Sequence, residues 1–506
     1  MKNAYRLDKP KPPRNPLRWP DYQPLQTVKL SKTPSSTAAN RLQQPIEAGL
    51  VTVAADTRKL GPVYGPYTLG GRVDIVRQVG ANLYVRALFC VGEVEQISSI
   101  TINGASYLTG DPTSDPDYLG DWTLAATWSA LGLPYAASVG DIFLYGTTYY
   151  ECTAGCSITA YAVPDTPVGT YAGYFAPMIT DAQVNTYTGT TTQTADPLLA
   201  AAGGDLSGYA ETLTGSWFGE SYGIAYAVIC LPVASYTGGF PRITASINGA
   251  KLYDPRTATT AYSANPALAL ADFLTSPLYG LGASVDWDSV ATTADYCDEI
   301  FADGARIQIG YAVAPDRPDR TVDWVDVLRG YALCWLDYQA GEYSLVLDAP
   351  RDTDGAIAFD QAGGTGPELM DLPTLASVPI DARPNRVRIY YTSGQATDYV
   401  TAETAAVTAE TEEPRELELR MPGLFSEEMA QRYADYRLAM ALGELWTADF
   451  RLADAGALVR PGQVYTLTAP NGPAGEKIRI LSVSSASLGD YQVTARAYDA
   501  TVYPTP

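Results

Sequence analysis

The residues best placed to do chemistry are few, and one type is missing. Histidine is absent from all 506 positions. That removes the side chain that titrates nearest neutral pH, and with it Ser-His-Asp triads, Cys-His dyads and His-ligated zinc. Carboxylates, Lys and Tyr remain as acid–base groups. The thiols are Cys90, Cys152, Cys156, Cys230, Cys297 and Cys334. Four sit in apolar or mixed runs such as Ile229-Cys230-Leu231 and read as small buried hydrophobes. Cys152 and Cys156 share a glycine-containing turn. That spacing fits a candidate disulfide, two free thiols or half of a metal site, although no second ligand pair accompanies it. Paired carboxylates for glycoside hydrolysis are conceivable by number alone, but no pair stands out by context. Gly203-Gly204 and Gly238-Gly239 are turn glycines, and no phosphate-loop pattern exists. The sequence nominates no catalytic residue, no metal ligand and no cofactor.

Behind these residues stands a chain too long for one core, with three to five domains expected. Apolar residues make up 46% and charged ones 18%, which suits a folded protein. Tyr and Gly are abundant, and Thr and Val recur in short runs, a mix that leans toward strands and turns. Lys and Arg total 34 against 56 Asp and Glu, a formal net charge of -22. An acidic body disfavours nucleic acid as a tightly held ligand and suits either solubility or a lining past which DNA slides. No apolar core opens the chain as a secretory signal would, and no apolar run is long enough for a membrane span. The expectation is a protein folded in a cytoplasm that works within an assembly.

Residues 1–44 stand apart as an extended basic, Pro-rich arm. Pro10, Pro12, Pro13, Pro16, Pro20, Pro24 and Pro34 remove backbone donors and favour extended chain. Lys2, Arg6, Lys9, Lys11, Arg14, Arg18, Lys29 and Lys32 face only Asp8 and Asp21. The arm reads as a disordered tail or as a strap along an acidic neighbour. A first β-barrel is expected from 45–108 and 205–255, interrupted by an inserted β module at 109–204. Asn82–Val91 and Val94–Ile102 read as strands, closed by a turn at Asn103-Gly104. Tyr222–Pro232 reads as a buried strand and Ile243–Leu252 as a hairpin around Asn248-Gly249. Residues 256–375 read as an α+β domain, with helices over Asn265–Leu274, Asp286–Ile300 and Asp323–Trp335 and a strand at Glu342–Leu347. Residues 376–506 read as a C-terminal β-barrel with one helix capped by Ser426. Its strands are Arg386–Tyr391, Val464–Thr468, Lys477–Val483 and Tyr491–Tyr498, with 401–416 as a loop. The fold class is mainly β and multi-domain.

Two blocks carry a resemblance. Residues 239–282 contain Tyr253-Asp254-Pro255-Arg256-Thr257, then Tyr262-Ser263 and Asn265-Pro266-Ala267. Pro62–Gly71 is followed by a strand and by Val91-Gly92-Glu93-Val94-Glu95. Together they resemble the hub region of lambda-type host-specificity (tail tip) proteins. The residues themselves read as structural. Asp254-Pro255 suits a turn, Arg256 suits an ion pair or a solvated turn charge, and Asn265-Pro266 suits a helix cap and first helical residue. The resemblance implies tail-tube-like barrels and a homotrimeric ring at a phage tail tip. It further implies contacts with a distal tail protein ring, the tape-measure C-terminus, and tip or fibre proteins. DNA would pass only in transit through the lumen, and the host cell surface is a further contact. Members often continue into fibronectin-like and receptor-binding regions, so separate fibres are expected to recognise the receptor. Within the inserted module, Val139–Cys152 faintly resembles chitin-binding-type hairpins. Trp128, Tyr145, Tyr149 and Tyr150 are its candidate sugar-contact aromatics, or else one half-buried sheet face. That gives the rival reading, a host-surface carbohydrate-binding adhesin, and a cell-wall hydrolase is a more distant one.

Overall fold

A computed structural model describes residues 60–107, 117–122, 127, 130–131, 134–145, 148–158, 174–177, 182–203, 206, 213–217, 220–233, 241–313, 321–359, 367–393, 396–470, 472–487 and 489–506. The basic arm lies outside the described residues. The chain is mainly β, built from several sheets with a few helices between them.

The first unit opens with β1 (Val63–Tyr64), β2 (Pro66–Gly70), β3 (Arg72–Val79), β4 (Asn82–Val91) and β5 (Val94–Ile102). On β4 the two-residue period places Leu83, Val85, Ala87 and Phe89 in one core, while Leu88 on the other face joins a second cluster. β5 ends where predicted, with Asn103 and Gly104 both at positive φ and Ile102 bonded to Ala105 in both directions. The inserted module follows, as β6 (Tyr118–Asp121), β7 (Tyr135–Ala137), β8 (Ile142–Tyr145), β9 (Thr148–Cys152), β10 (Cys156–Ile158) and β11 (Phe175–Pro177).

The module is shorter than the sequence suggests. β12 (Gln183–Thr188) already pairs along β14 (Glu220–Pro232), which in turn pairs with β4. Helix α1 (Pro197–Ala202) places Leu199 against the outer face of that sheet. Thus 182–203 belongs to the first unit. β13 (Thr214–Trp217) is a short addition to the end of β14. The facing sheet is built on β15 (Ile243–Asp254), flanked by β5 and β2 and extended by β16 (Thr259–Tyr262).

β15 corrects a second expectation, because Asn248-Gly249 is not a hairpin turn. The strand runs unbroken, with Ile243, Ala245 and Ile247 buried in alternation. Gly249 serves close approach instead: a Cβ there would stand 2.3 Å from the Val63 carbonyl oxygen, and its N–H donates to Gly65 O at 2.8 Å. The turn comes later, at Asp254–Thr257.

The central unit contains α2 (Pro266–Thr275), β17 (Ser284–Val285), α3 (Trp287–Cys297), β18 (Ile300–Phe301), β19 (Gly304–Ala305), β20 (Tyr311–Ala312), α4 (Thr321–Ala332), β21 (Cys334–Gln339) and β22 (Glu342–Leu347). The expected helix through Trp335 stops at Ala332. Leu333 adopts φ 51°, a conformation no helix interior tolerates, and Trp335 is the second residue of β21, buried at 2% exposure.

The C-terminal stretch divides differently from the single barrel expected over 376–506. β23 (Gly355–Ala358) and β24 (Thr374–Ser377) are the two edges of a six-stranded sheet, although β23 precedes that boundary and β24 straddles it. The rest of that sheet is β28 (Trp446–Leu452), β29 (Val464–Thr468), β30 (Ala474–Ser487) and β31 (Asp490–Ala497). Between them, β25 (Arg386–Ser393), β26 (Ala396–Glu403) and β27 (Glu416–Arg420) form a separate sheet covered by α5 (Glu427–Gly443). Val387, Ile389, Val400, Leu419 and Tyr433 join the core of the central unit rather than that of the six-stranded sheet. The stretch 401–416 ends β26 and then makes one helical turn at Ala405–Thr408.

Candidate functional site

The corner between β15 and α2 is built from local rules. Asp254 Oδ1 accepts from the Arg256 backbone N–H at 2.9 Å, which closes the turn. The Arg256 guanidinium then forks onto both Asp254 oxygens, at 2.9 and 2.8 Å. It also reaches Asp295 at 3.0 Å and Asp298 at 2.9 Å on α3. Of the two readings of Arg256, the ion pair is therefore the one observed, and it is made within the chain. The hydrogen bonds to Arg256 hold the Asp254 carboxyl below the usual carboxylate range. Asn265 caps α2, its Oδ1 accepting from Ala267 N at 2.9 Å and Leu268 N at 3.4 Å. Its amide nitrogen donates to Ala294 O at 2.9 Å, and so ties α2 to α3. Pro266 occupies the first helical turn, where its missing N–H costs nothing. Tyr253 and Pro255 flank the same turn, and Tyr253 is 43% exposed.

The block Pro62–Gly71 meets this corner from below. Val63 lies in the core of the first unit and Tyr64 in that of the central unit. The Tyr64 hydroxyl donates to Asp272 Oδ2 at 2.7 Å and Tyr279 donates to the same oxygen at 2.8 Å. Burial raises the Asp272 carboxyl, and these two donors oppose that rise. Gly65 sits at φ +62°, where a Cβ would stand 1.7 Å from Ile309 O, so no other residue fits.

A second joint fastens the six-stranded sheet to the central unit, and local sequence does not announce it. Asp348, just past β22, pairs with Arg479 of β30, whose side chain is fully buried. Tyr436 of α5 donates to the other Asp348 oxygen at 2.7 Å, and Tyr503 donates at 2.6 Å to the one Arg479 holds. Arg479 also donates to Ala349 O at 2.9 Å and lies over the Trp335 and Tyr498 rings at 5.0 and 4.7 Å. Burial and then the Asp348 charge raise both tyrosine hydroxyls, which keeps them protonated as donors. Nearby, Glu444 ends α5 and faces Arg496 of β31 across 2.7 Å. Burial pushes its carboxyl up to about 7 despite that cation. Arg306 adds a clasp on the C-terminal segment through Pro504 O at 3.0 Å. These groups hold one another, and Asp348, Tyr436 and Tyr503 also line a small pocket with Arg306 and Arg432. Among the described residues, no three His, Cys, Asp or Glu side chains gather to hold a metal ion.

Residues 375–483 match a family described as "Putative phage tail protein". That span runs from β24 through most of β30 and contains the Arg479 side of the joint. The similarity is to phage tail proteins. At the level of fold, a chain in the virion of a native gene transfer agent particle is similar over 91% of this chain and 90% of its own, with 16% identity and a TM-score of 0.50. The tail protein from Neisseria meningitidis MC58 is similar over 58% of this chain and 81% of its own, at 13% identity and a TM-score of 0.33. The 43 kDa tail protein of prophage MuSo2 from Shewanella oneidensis covers 52% and 75%, at 13% identity and 0.29. No curated protein matches the sequence.

Within this tail-protein fold the inserted module has its own small core. Trp122, Phe143 and Phe175 meet edge to face, with centroids 5.1, 5.4 and 6.0 Å apart. Tyr145 and Tyr150 pack against this cluster and are half-buried. Trp128 and the Tyr149 side chain lie outside the described residues. Cys152 and Cys156 are both thiols in this structure, and Cys152 donates to Ala154 O at 3.2 Å. Burial raises both, so they stay protonated near neutral pH and are poor nucleophiles. Sequence reasoning missed the Asp348 joint entirely. The only signal for it was a lone Arg amid the β-branched run of Ile478–Val483.

Proposed function

We propose that this chain is the central hub of a long, non-contractile phage-type tail tip. Three copies would close a ring that joins the sixfold tail tube or distal tail ring to threefold tip proteins. The ring would hold the tape-measure C-terminus until the tip opens, then conduct DNA. The observation that carries this reading is the fold shared over nine-tenths of the chain with a virion component, together with the tail-protein match at 375–483.

The physical design supports it. A passage for DNA must resist distortion, and the joints between units are made of buried, hydrogen-bonded groups such as Tyr64–Asp272 and Asp348–Arg479. A net charge of -22 opposes DNA adhesion, because like charge prevents counterion-release binding. The protein would be made in the host cytoplasm and act at the virion tail tip as a structural part, without catalysis.

Electron microscopy of intact particles tests this. Three copies around a pore at the distal end of the tail are expected. Six copies along the tube, or a position off the tail axis, would overturn the reading.

A further inference from the structure

The inserted module has little to hold it together. From Tyr118 to Pro177 it spans roughly 60 residues, a size at which one hydrophobic core is marginal. Its strands fall into two sheets, β11-β9-β8-β6 and β10-β7, which share no strand. Among the described residues its core buries six side chains, a small fraction of what the central unit buries. Cys152 is one of the six, and Cys156 packs against them. Domains of this size commonly add a covalent staple.

The two thiols are placed to supply one. Cys152 is the last residue of β9 and Cys156 the first of β10, so a bond between them would tie one sheet to the other. Only Thr153, Ala154 and Gly155 intervene, all three exposed, and both cysteine side chains pack in the same core. The sulfurs also act on each other. Burial raises both thiols; beyond that, the Cys156 charge adds to the rise at Cys152, and a hydrogen bond with Cys152 opposes it at Cys156. Cys156 is half-buried beside the exposed turn while Cys152 is fully buried, so a reagent in solution meets Cys156 first. Cys90, Cys230, Cys297 and Cys334 are buried.

We propose that Cys152 and Cys156 form a disulfide that closes once the protein leaves a reducing compartment and clamps the two sheets of the module together. The step is thiol–disulfide exchange with a low-molecular-weight disulfide such as oxidised glutathione. Cys156, as its thiolate, attacks one sulfur of the reagent, and the first glutathione thiolate leaves as a mixed disulfide forms. The Cys152 thiolate then attacks Cys156 Sγ and expels the second. One disulfide is consumed and one is made, and the reagent takes up two electrons and the two protons shed by the protein thiols. Because burial raises both thiols, closure is slow near neutral pH. The timing rests on the reading of the chain as a tail part made in a reducing cytoplasm and released with the particle; the bond itself does not.

Full-length protein purified under reductant, then held natively in oxidised glutathione, tests the bond. Denaturation, alkylation and peptide mass spectrometry count the thiols that remain. Of the six, all but Cys152 and Cys156 should survive, and those two should be joined within one peptide. Hydrogen exchange in β8 and β9 should slow by about thirtyfold on oxidation, the effect of closing a loop from Cys152 to Cys156, while β4 and β14 stay unchanged. Cys156→Ser changes a half-buried position and should fold as before, yet lose the response to oxidant. A full set of free thiols after oxidation, or glutathione left on Cys156 as a mixed disulfide, would overturn the bond. A bond formed with exchange unchanged would overturn its role as a clamp. The timing has its own readout: chain from the host cytoplasm should carry both thiols, and chain from released particles neither. Both thiols in released particles would overturn the timing, whereas absence of the chain from the particles would sink the tail-tip reading instead.

Discussion

Replacing Arg479 with Met isolates the joint between the six-stranded sheet and the central unit. The side chain is fully buried, and its loss leaves the Asp348 carboxylate with only the Tyr436 and Tyr503 hydroxyls. Methionine fills most of the space, so the cavity contribution is small and the cost is chiefly that of a buried anion without its cation. Breaking one side of such a pair costs about 3–5 kcal/mol. The damage should fall where the joint lies, between the six-stranded sheet and the central unit. Hydrogen exchange read by mass spectrometry resolves that location. At about 3 kcal/mol, amides in β29, β30 and β31 would exchange roughly a hundredfold faster, while those of β4 and β14 in the first unit stay unchanged. Asp348→Asn should do similar harm. The double variant should do less than the sum, by about 1–3 kcal/mol, because each single change strands the same partner. An effect of Arg479→Met below about 1 kcal/mol, or strict additivity in the double variant, would refute the argument.

Other perturbations have equally definite outcomes. The folded-state pKa of Glu444, about 7, lies above its ordinary 4.5, so its contribution is fully present below pH 4.5 and is lost as pH rises through 7. That amounts to about 3 kcal/mol, and Glu444→Gln should flatten the urea-unfolding stability profile across this window. Gly65→Ala forces a Cβ onto Ile309 O at positive φ and should destabilise by more than about 1 kcal/mol, measured by calorimetry. Asn265→Ala removes the α2 cap and leaves Ala294 O without that donor, a loss of about 2 kcal/mol or more, while Asn265→Asp should restore the cap alone.

Elements governed by neighbours in sequence were legible. β4, β5 and β22 fall where runs of β-branched, aromatic and other apolar residues put them, and α2 and α5 start at Asn265 and Ser426 because a cap and a first turn are local chemistry. What could not be read depends on distant chain. Asn-Gly at 248–249 has the composition of a turn, yet the Val63 and Gly65 carbonyls press against it and demand glycine in a straight strand. Trp335 continues the apolar period of α4, yet belongs to a strand because the chain turns at Leu333. The domain boundaries failed for the same reason. β12, β23 and β24 find their partners far along the chain, and no periodicity announces which sheet will receive an edge strand. The Arg256 corner was legible as a motif, but the acidic residues it gathers from α3 were not.

The two residues of β1 have a mechanical consequence. Val63 is rooted in one hydrophobic core and Tyr64 in the next, and both precede every other strand described. Tension on the leading end of the described chain therefore meets Leu60 and Gly61 first, both held to the first unit, and then passes to two cores at adjacent residues.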